Sequence, residues 1–461
     1  MTIAIFISIF VNSLHFGDKM LIEFSVQNFG SIKDKQTLSF EATKDEHLAD
    51  YYIIPTKVKN LKLLKLGLIY GANSSGKTTI LQALDFLRYI VLRPKREKDM
   101  SFEFEPFLFD KKTPNKNTIF NISFIQNDIR YDYEVELNKR AIIEEKLDFY
   151  NPNKANVFTR ATDIEKQYTN KICFGQKIKK DRNLEEALKL NTLWNNTVIG
   201  GFIKTNIENN ELKNVRDWFS SYLREIIYAK TGLFDYITET LQKEKNKNYI
   251  VDMLRIADLG ISNLNIKTNK EKAQPIVVSI MKNIIEHTRN ESSKNPISIK
   301  DLGIDEDGTI SKLAVTFEHI TNEERYELSI DKESQGTQRY YELAGVLYLL
   351  IKNSILFPID ELESSLHPDL FRHFLLSFLV NSKKSQIIAT THNREILNDK
   401  NIFRNDVIWI TDKGKENSTQ LYSLSDFDSS VIRGTASIYN AYKNGKLGGV
   451  PKLSNYYIGA E

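Results

Sequence analysis

A single cysteine, Cys173, stands in 461 residues, and that scarcity removes two classes of architecture. No internal disulfide can form and no Cys-based zinc site can be assembled, so a reducing, cytoplasmic setting is expected. Long apolar runs are scarce too. Thr2–Phe16, TIAIFISIFVNSLHF, falls short of the ~20 apolar residues that span a bilayer, and no membrane association is expected. It also lacks the positive n-region and small-residue cleavage site of a signal peptide. No heptad pattern is sustained over many turns, which speaks against a long coiled-coil arm. No internal repeat is visible. A large net charge is missing as well, since 63 Lys and Arg against 60 Asp and Glu leave +3.

What is present is an ordinary globular composition, 41% hydrophobic and 27% charged, in a chain long enough for two or three domains with an ample core. The charge is unevenly spread. Asn151–Lys300 holds 25 Lys and Arg against 17 Asp and Glu, while the remainder is slightly acidic. This points either to a polyanionic partner such as DNA or to a solvated, Lys-rich helical surface. At the N-terminus, Met20 opens a clean alternating strand, LIEFSVQNFGSI. Gly17-Asp18-Lys19 can be encoded by a ribosome-binding sequence, so translation is expected to start at Met20, with residues 1–19 a non-native leader or misassigned start. A mass-spectrometric peptide covering Ile3–Phe10 would overturn that expectation.

The chain is organised around Leu64–Leu81, LKLGLIYGANSSGKTTIL. A short apolar run leads into Gly71-Ala72-Asn73-Ser74-Ser75-Gly76-Lys77-Thr78, followed by Thr79 and a helical pattern. This is G-x-x-x-x-G-K-[ST] in the strand–loop–helix setting that a phosphate-binding loop requires. Gly71 and Gly76 let successive N–H groups turn inward to phosphate oxygens. Lys77 adds a point charge for the β- and γ-phosphates, and the Thr78 hydroxyl is placed to hold Mg²⁺. The helix from Lys77 to about Leu92 turns its positive dipole end to the anion. ATP and Mg²⁺ are therefore the expected cofactors.

Three further stretches carry chemistry. Ile355–Glu361, ILFPIDE, is a buried strand ending in two acids: Asp360 completes the Mg²⁺ shell and Glu361 is the general base for the attacking water. Pro358 is out of place there, because proline cannot donate to a sheet ladder. Glu333–Arg339, ESQGTQR, opens the preceding helix, and Ser334 and Gly336 at its N-terminus make a second anion site, or a Ser-Gly turn that caps an ordinary helix. A second phosphate-binding edge makes sense if it caps a γ-phosphate held by a partner subunit. Gln386–Asn393, QIIATTHN, ends a strand at His392, which can hydrogen-bond the γ-phosphate or the attacking water. Ser364–Pro368 would lie at the subunit seam.

The pattern around these motifs predicts an α/β fold in which a parallel sheet with covering helices is split by other structure. Two strands are expected over Met20–Phe40, and an antiparallel lobe over Phe102–Tyr150 with its hairpin turn at Gln126-Asn127-Asp128. A mainly helical stretch is expected from about Asn183 to His287, with Trp218, Tyr222, Ile226 and Ile227 on one face, and Glu291–Pro296 as a linker. Strands return at Ser311–Phe317 and Tyr326–Ile330, then helix and strand alternate through Thr411. In domain terms this reads as 20–175 and 301–461 forming one head, with 176–300 a helical insert.

The phosphate loop, ESQGTQR, DELESSLHP and TTHN, in this order, resemble the ABC-type ATPases of the RecF/SMC/OLD branch. The extended pattern is similar to the RloA-like ATPases of bacterial restriction and phage-defence loci, through Met20–Phe24 with Asn28-Phe29, Ala257–Ile261 and Tyr442–Pro451. The resemblance implies a split P-loop head that forms an ATP-sandwiched homodimer, with Ser334 and Gly336 meeting the nucleotide held at Lys77 of the other chain. It also implies a Q-loop glutamine between the first helix and the helical insert, and anti-phage defence through a separate effector, a nuclease or toxin. A nuclease within this chain is not expected, because Asp426-Phe427-Asp428 is the only D-x-D beyond His392 and too little chain surrounds it. The alternative is a DNA-repair ATPase that binds DNA through the basic insert, at Lys177, Lys179, Lys180 and Arg182.

Overall fold

The computed structural model describes residues 17–178, 182–241, 244–272, 309–399, 402–427 and 438–451. The expected linker Glu291–Pro296 and residues 1–16 of the expected leader lie outside them. By its packing the chain forms two compact units. The larger comprises His15–Thr231, Leu349–Ser364 and Leu375–Glu461; the smaller contains Gly232–Tyr348 and Ser365–Phe374. The stretch expected as one insert thus contributes residues to each.

In chain order, β1 (Lys19–Gln27) and β2 (Gln36–Ser39) are followed by a one-turn α1 (Ala49–Tyr52) and a hairpin of β3 (Ile53–Pro55) and β4 (Lys62–Leu64). Next come β5 (Leu66–Gly71) and α2 (Lys77–Leu92). Five strands then run up and down: β6 (Thr118–Gln126), β7 (Ile129–Leu137), β8 (Ile142–Tyr150), β9 (Lys154–Asp163) and β10 (Tyr168–Phe174). Helices α3 (Arg182–Asn191), α4 (Val198–Ile203) and α5 (Asn210–Asp217) lead to a π-helical turn at Trp218–Tyr222. After α6 (Phe234–Leu241) and α7 (Glu244–Ile256) come β11 (Ile261–Lys272), β12 (Thr309–Thr321) and β13 (Glu324–Ser329). The remainder alternates: α8 (Gln335–Lys352), β14 (Leu356–Ile359), α9 (Pro368–Asn381), β15 (Gln386–Thr390), β16 (Ile408–Lys413), β17 (Thr419–Ser423) and α10 (Ile438–Lys443). No helix among the described residues is long and apolar enough to cross a membrane.

The larger unit holds two large sheets. One is antiparallel, in the order β10-β9-β8-β7-β6-β1-β2. Its period-two pattern puts Phe120, Ile122, Phe124, Tyr131, Tyr133 and Val135 in the core, where the Phe124 and Trp218 rings stack 4.4 Å apart. The other sheet has the order β14-β15-β5-β16-β17, parallel except for β17. Its strands β5, β14 and β15 are buried throughout, as continuous apolar runs covered on both faces must be. The smaller unit carries a three-stranded antiparallel sheet in the order β11-β12-β13, with α6 and α7.

The helical expectation fails at two places. Ile261–Lys272 is a long strand paired with β12 along its length, whereas helix was expected through His287. Its period-two residues Leu264, Ile266 and Thr268 are too diluted by Asn and Lys for the pattern to stand out. Ile226 and Ile227 do not continue the Trp218–Tyr222 face either. Leu223–Ile227 is extended beside β14, with Arg224 N–H on Leu356 O at 2.9 Å and Ile227 N–H on Pro358 O at 2.9 Å. The open edge of β14 offered ladder partners to a β-branched pair that an amphipathic spacing could equally have placed on a helix. This also accounts for Pro358, which sits beside a short irregular edge segment where a missing donor is tolerated.

Candidate functional site

The phosphate loop lies at the C-terminal end of the central strand of the parallel sheet. β5 has β15 on one side and β16 on the other, so the chain leaving Gly71 emerges between two strand ends. A side chain at Gly71 would collide with Thr411 Oγ1 at 2.3 Å and Ser75 Oγ at 2.5 Å. Gly76, the residue before α2, has φ 99, and a Cβ there would fall 1.9 Å from Thr419 Oγ1. Asn73 and Ser74 are exposed at the tip, and Ser75 is buried with its hydroxyl 2.6 Å from Thr411 Oγ1. Ala72 accepts from Ser75 N–H, and Thr79 Oγ1 accepts from Ser31 Oγ at 3.0 Å. The loop is therefore gripped from outside by Ser31, Thr411 and Thr419, which lie far away in sequence.

Lys77 is buried, and its ammonium donates to Gly71 O and Ala72 O at 3.0 and 3.1 Å. Burial lowers its pKa, and Asp360, Glu361 and Glu363 oppose the shift through their negative charge. Thr78 Oγ1 donates to both Asp360 oxygens, at 3.0 and 3.1 Å, across 282 positions of sequence. Asp360 Oδ1 also accepts from Thr390 Oγ1 at 2.6 Å, and the same hydroxyl accepts from Glu361 N–H at 2.8 Å. Thr390 thereby ties both acids of the β14 end to the end of β15. Glu361 is exposed and has φ 48, a left-handed backbone that is uncommon outside glycine and concentrates at functional sites.

His392 follows β15, with its N–H held by Glu363 Oε1. Partial burial lowers the His392 pKa and Lys77 adds to the effect, against Glu363, Glu361 and Asp360. The ring is therefore mainly neutral at pH 7, with one nitrogen free to accept and one to donate. The larger unit thus brings Gly71–Thr79, Asp360, Glu361 and His392 to one place. Ser334 and Gly336 are positioned by the smaller unit. Ser334 caps α8, its hydroxyl accepting from Thr337 N–H at 3.0 Å, and a Cβ on Gly336 would lie 3.0 Å from Ser365 O.

The residues fit a nucleotide with Mg²⁺. The buried Lys77 ammonium is a cation of the kind phosphate takes, and the Thr78 hydroxyl and Asp360 carboxylate are hard oxygen donors of the kind Mg²⁺ takes. Among the described residues no group of three or more His, Cys, Asp or Glu could hold a metal ion. A Mg²⁺ ion would accordingly be shared between these two side chains and phosphate oxygens.

Sequence reasoning passed over Thr390, Glu363, Ser31, Thr411 and Thr419. Only Glu363 had a local signal, as the third acid of DELE. At the end of the segment paired with β14 stands Tyr228, partly exposed, its hydroxyl bonded to Gln82 of α2 and within electrostatic reach of Asp360. Asp426, of the only D-x-D near the C-terminus, caps a short 3-10 turn by accepting from Ser423 N–H at 2.9 Å; Asp428 lies outside the described residues. Lys179 and Lys180 also lie outside them, as does the side chain of Arg182.

Residues 68–398 match the family described as "AAA domain, putative AbiEii toxin, Type IV TA system". No curated protein matches the chain. Among solved structures, the SMC head domain from Thermotoga maritima is similar at 11% identity and a TM-score of 0.41, covering 87% of this chain and 98% of that one. An SMC head bound to the C-terminal winged-helix domain of ScpA is similar at 12% identity and a TM-score of 0.40, covering 87% and 97%. The Pyrococcus furiosus SMC head with an extended coiled coil, bound to the C-terminal domain of ScpA, gives 12% and 0.36, covering 88% and 96%.

Proposed function

Since the chain belongs to this AAA-domain family, we propose that it is a P-loop ATPase of ABC type that hydrolyses ATP with Mg²⁺ and dimerises when ATP is bound. The observation that carries the reading is the hydrogen-bonded connection from Thr78 through Asp360 and Thr390 to Glu361, which joins the phosphate loop to the acids of β14. In this reading the Gly71–Thr79 loop and Lys77 bind the phosphates, and Thr78 and Asp360 hold Mg²⁺. Bound there, the ion would neutralise charge on the β- and γ-phosphate oxygens. Glu361 is the general base, its exposed carboxylate free to take a proton from water. His392, mainly neutral, hydrogen-bonds the γ-phosphate or that water. Ser334 and Gly336 complete the site of the partner chain, so hydrolysis follows head-to-head association.

The biological reading is that this ATP-driven association controls a separate effector protein in anti-phage defence, in the manner of RloA-like ATPases. The excess of basic residues over Asn151–Lys300 supports a DNA-repair ATPase as the second reading. Phosphate release and light scattering test the core of the proposal. Glu361→Gln should bind MgATP, hydrolyse it about 100-fold or more slowly, and accumulate as a dimer. Wild-type turnover in that variant would remove Glu361 from its role. DNA binding that weakens steeply with salt would favour the second reading.

A further inference from the structure

The Tyr442–Pro451 motif supplies none of the groups assigned to phosphate, metal or water, yet the fold carries it to the same place. Helix α10 ends with Gly445 N–H on Tyr442 O at 2.9 Å and Lys446 N–H on Ala441 O at 3.0 Å, a Schellman closure around Gly445 at φ 72. The chain then doubles back through Gly448 and Gly449. Tyr422 Oη donates to Leu447 O at 2.8 Å, and Tyr442 Oη donates to Gly449 O at 2.9 Å. Held this way, Gly449 lies against the start of the phosphate loop. A Cβ on it would be 2.7 Å from Ile410 Cγ2, 3.2 Å from Thr411 O and 3.4 Å from Gly71 Cα.

Tyr442 also reaches the loop. Its ring meets that of Tyr70 edge-on, with centroids 6.0 Å apart and planes at 69°. Burial pushes its hydroxyl up to about 12, and the Gly71 N–H facing that oxygen opposes the shift. On its other side α10 packs against the turn Glu395–Asn398, which follows His392. Ile438 and Ala441 are buried there with Ile396 and Leu397, and Tyr439 Oη lies 3.4 Å from Glu395 Oε1. One short segment thus touches the first glycine of the phosphate loop and the loop that carries His392.

We propose that Ile438–Val450 is a built part of the nucleotide site, with Tyr442 and Gly449 as positioning residues that fix Gly71 relative to the His392 loop and so set the affinity for the nucleotide. The inference rests on the ATPase reading. A cradle of main-chain N–H groups depends on geometry rather than on side-chain reach, so a displacement of about 1 Å at Gly71 is enough to weaken it severely. The strap is therefore a determinant of binding, beyond covering the sheet end.

Equilibrium binding of a fluorescent ATP analogue with Mg²⁺ tests this in wild type, Gly449→Ala, Gly445→Ala and Tyr442→Phe, each below its own thermal transition. The two alanine substitutions impose the same left-handed strain, with φ 66 and 72. Among the described residues the methyl at 445 meets only Val450, at 3.2 Å, whereas the methyl at 449 is driven toward Ile410 and Gly71. Gly449→Ala is expected to bind about tenfold more weakly than Gly445→Ala, and Tyr442→Phe a few-fold more weakly than wild type, with KM affected more than kcat. Equal affinities in the two alanine variants would overturn the proposal. Should Gly449→Ala fail to fold, wild-type affinity in Tyr442→Phe would overturn it. Failure of the wild-type protein to bind the analogue would instead sink the ATPase reading, before any variant is compared.

Discussion

The two large sheets of the larger unit treat charge in opposite ways. In the parallel sheet, β5, β14 and β15 carry no charged residue at all; Asp360, Glu361 and His392 come just after a strand ends. In the antiparallel sheet the charges lie inside the strands, as in Glu145 of β8 and Arg160 of β9, which are cross-strand neighbours and fully buried. A parallel strand covered on both faces cannot hold an unpaired charge, so its polar chemistry is displaced to the C-terminal ends, where the strands open onto loops. An antiparallel ladder offers a cross-strand partner at every position, so it can hold charge within. The first arrangement makes a site, and the second fixes a scaffold. Substitutions should separate accordingly.

The largest effect is expected where the scaffold charge is broken. Glu145 accepts from Tyr133 Oη at 2.6 Å and from Val198 N–H at 2.8 and 3.0 Å, and its Oε2 lies 3.7 Å from Arg160 Nη1. Burial drives the Arg160 pKa down to about 10, with Glu145 resisting. Glu145→Ala leaves that guanidinium buried without its counter-charge, and should destabilise the fold by about 3–5 kcal/mol in denaturant melts. The folded fraction should keep wild-type ATP turnover. The pair Glu145→Leu with Arg160→Met should recover much of the stability. Loss of turnover in molecules that remain folded would erase the distinction between the sheets.

The next effect tests the other side. Thr390→Val removes one hydroxyl that serves Asp360 and Glu361 together, while keeping the volume of the side chain. ATP turnover should fall by about 10–100-fold. Stability should change by only about 1–2 kcal/mol, the scale of a lost buried hydrogen bond. A melt that collapses while turnover per folded molecule is preserved would mean that Thr390 is scaffold after all.

Lys65 is an exception that sharpens the rule. It is buried just before β5, at the end of the parallel sheet away from the site, and donates to Leu379 O at 3.0 Å. Burial lowers its pKa to about 8 from the ordinary 10.5. Between those two values the unfolded chain binds more proton than the folded one, so this group makes stability rise with pH from about 8 to 10.5. Lys65→Met should be more stable than wild type at pH 7, by about 1–2 kcal/mol, and the gap should close toward pH 10. Parallel melting curves at both pH values would refute it.

The same contrast explains what could be read from the sequence. The short uncharged runs 66–71, 355–359 and 386–390 with their closing polar residues were legible, because an apolar strand that ends in Asp or His leaves a local signature. So were Lys77 and the 3.6-residue pattern of α2. The antiparallel edge was not: β9 and β10 alternate weakly, with Lys, Asn and Thr interrupting the buried positions. Long-range partners were invisible for a different reason. Ser31, Thr411 and Thr419 are single hydroxyls whose meaning comes only from where the fold puts them, 48 to 388 positions from their partners.

Tyr228 is the smallest effect and the test of how far the site extends beyond the parallel strands. It follows the segment that adds itself to β14, and Asp360 N–H donates to Ile227 O at 2.8 Å, so the main chain before Tyr228 helps hold Asp360. The Tyr228 hydroxyl meets Gln82, one turn along α2 from Thr78. If Tyr228 supports the Asp360 end of β14 through its hydroxyl and Gln82, its polar end matters more than its ring. Tyr228→Gln should then hydrolyse ATP within about twofold of wild type, while Tyr228→Phe should lose about two- to fivefold in kcat with little change in KM, the scale of one neutral hydrogen bond. Equal rates in the two variants would mean that Tyr228 only packs against α2, and that the site stops at the ends of β5, β14 and β15.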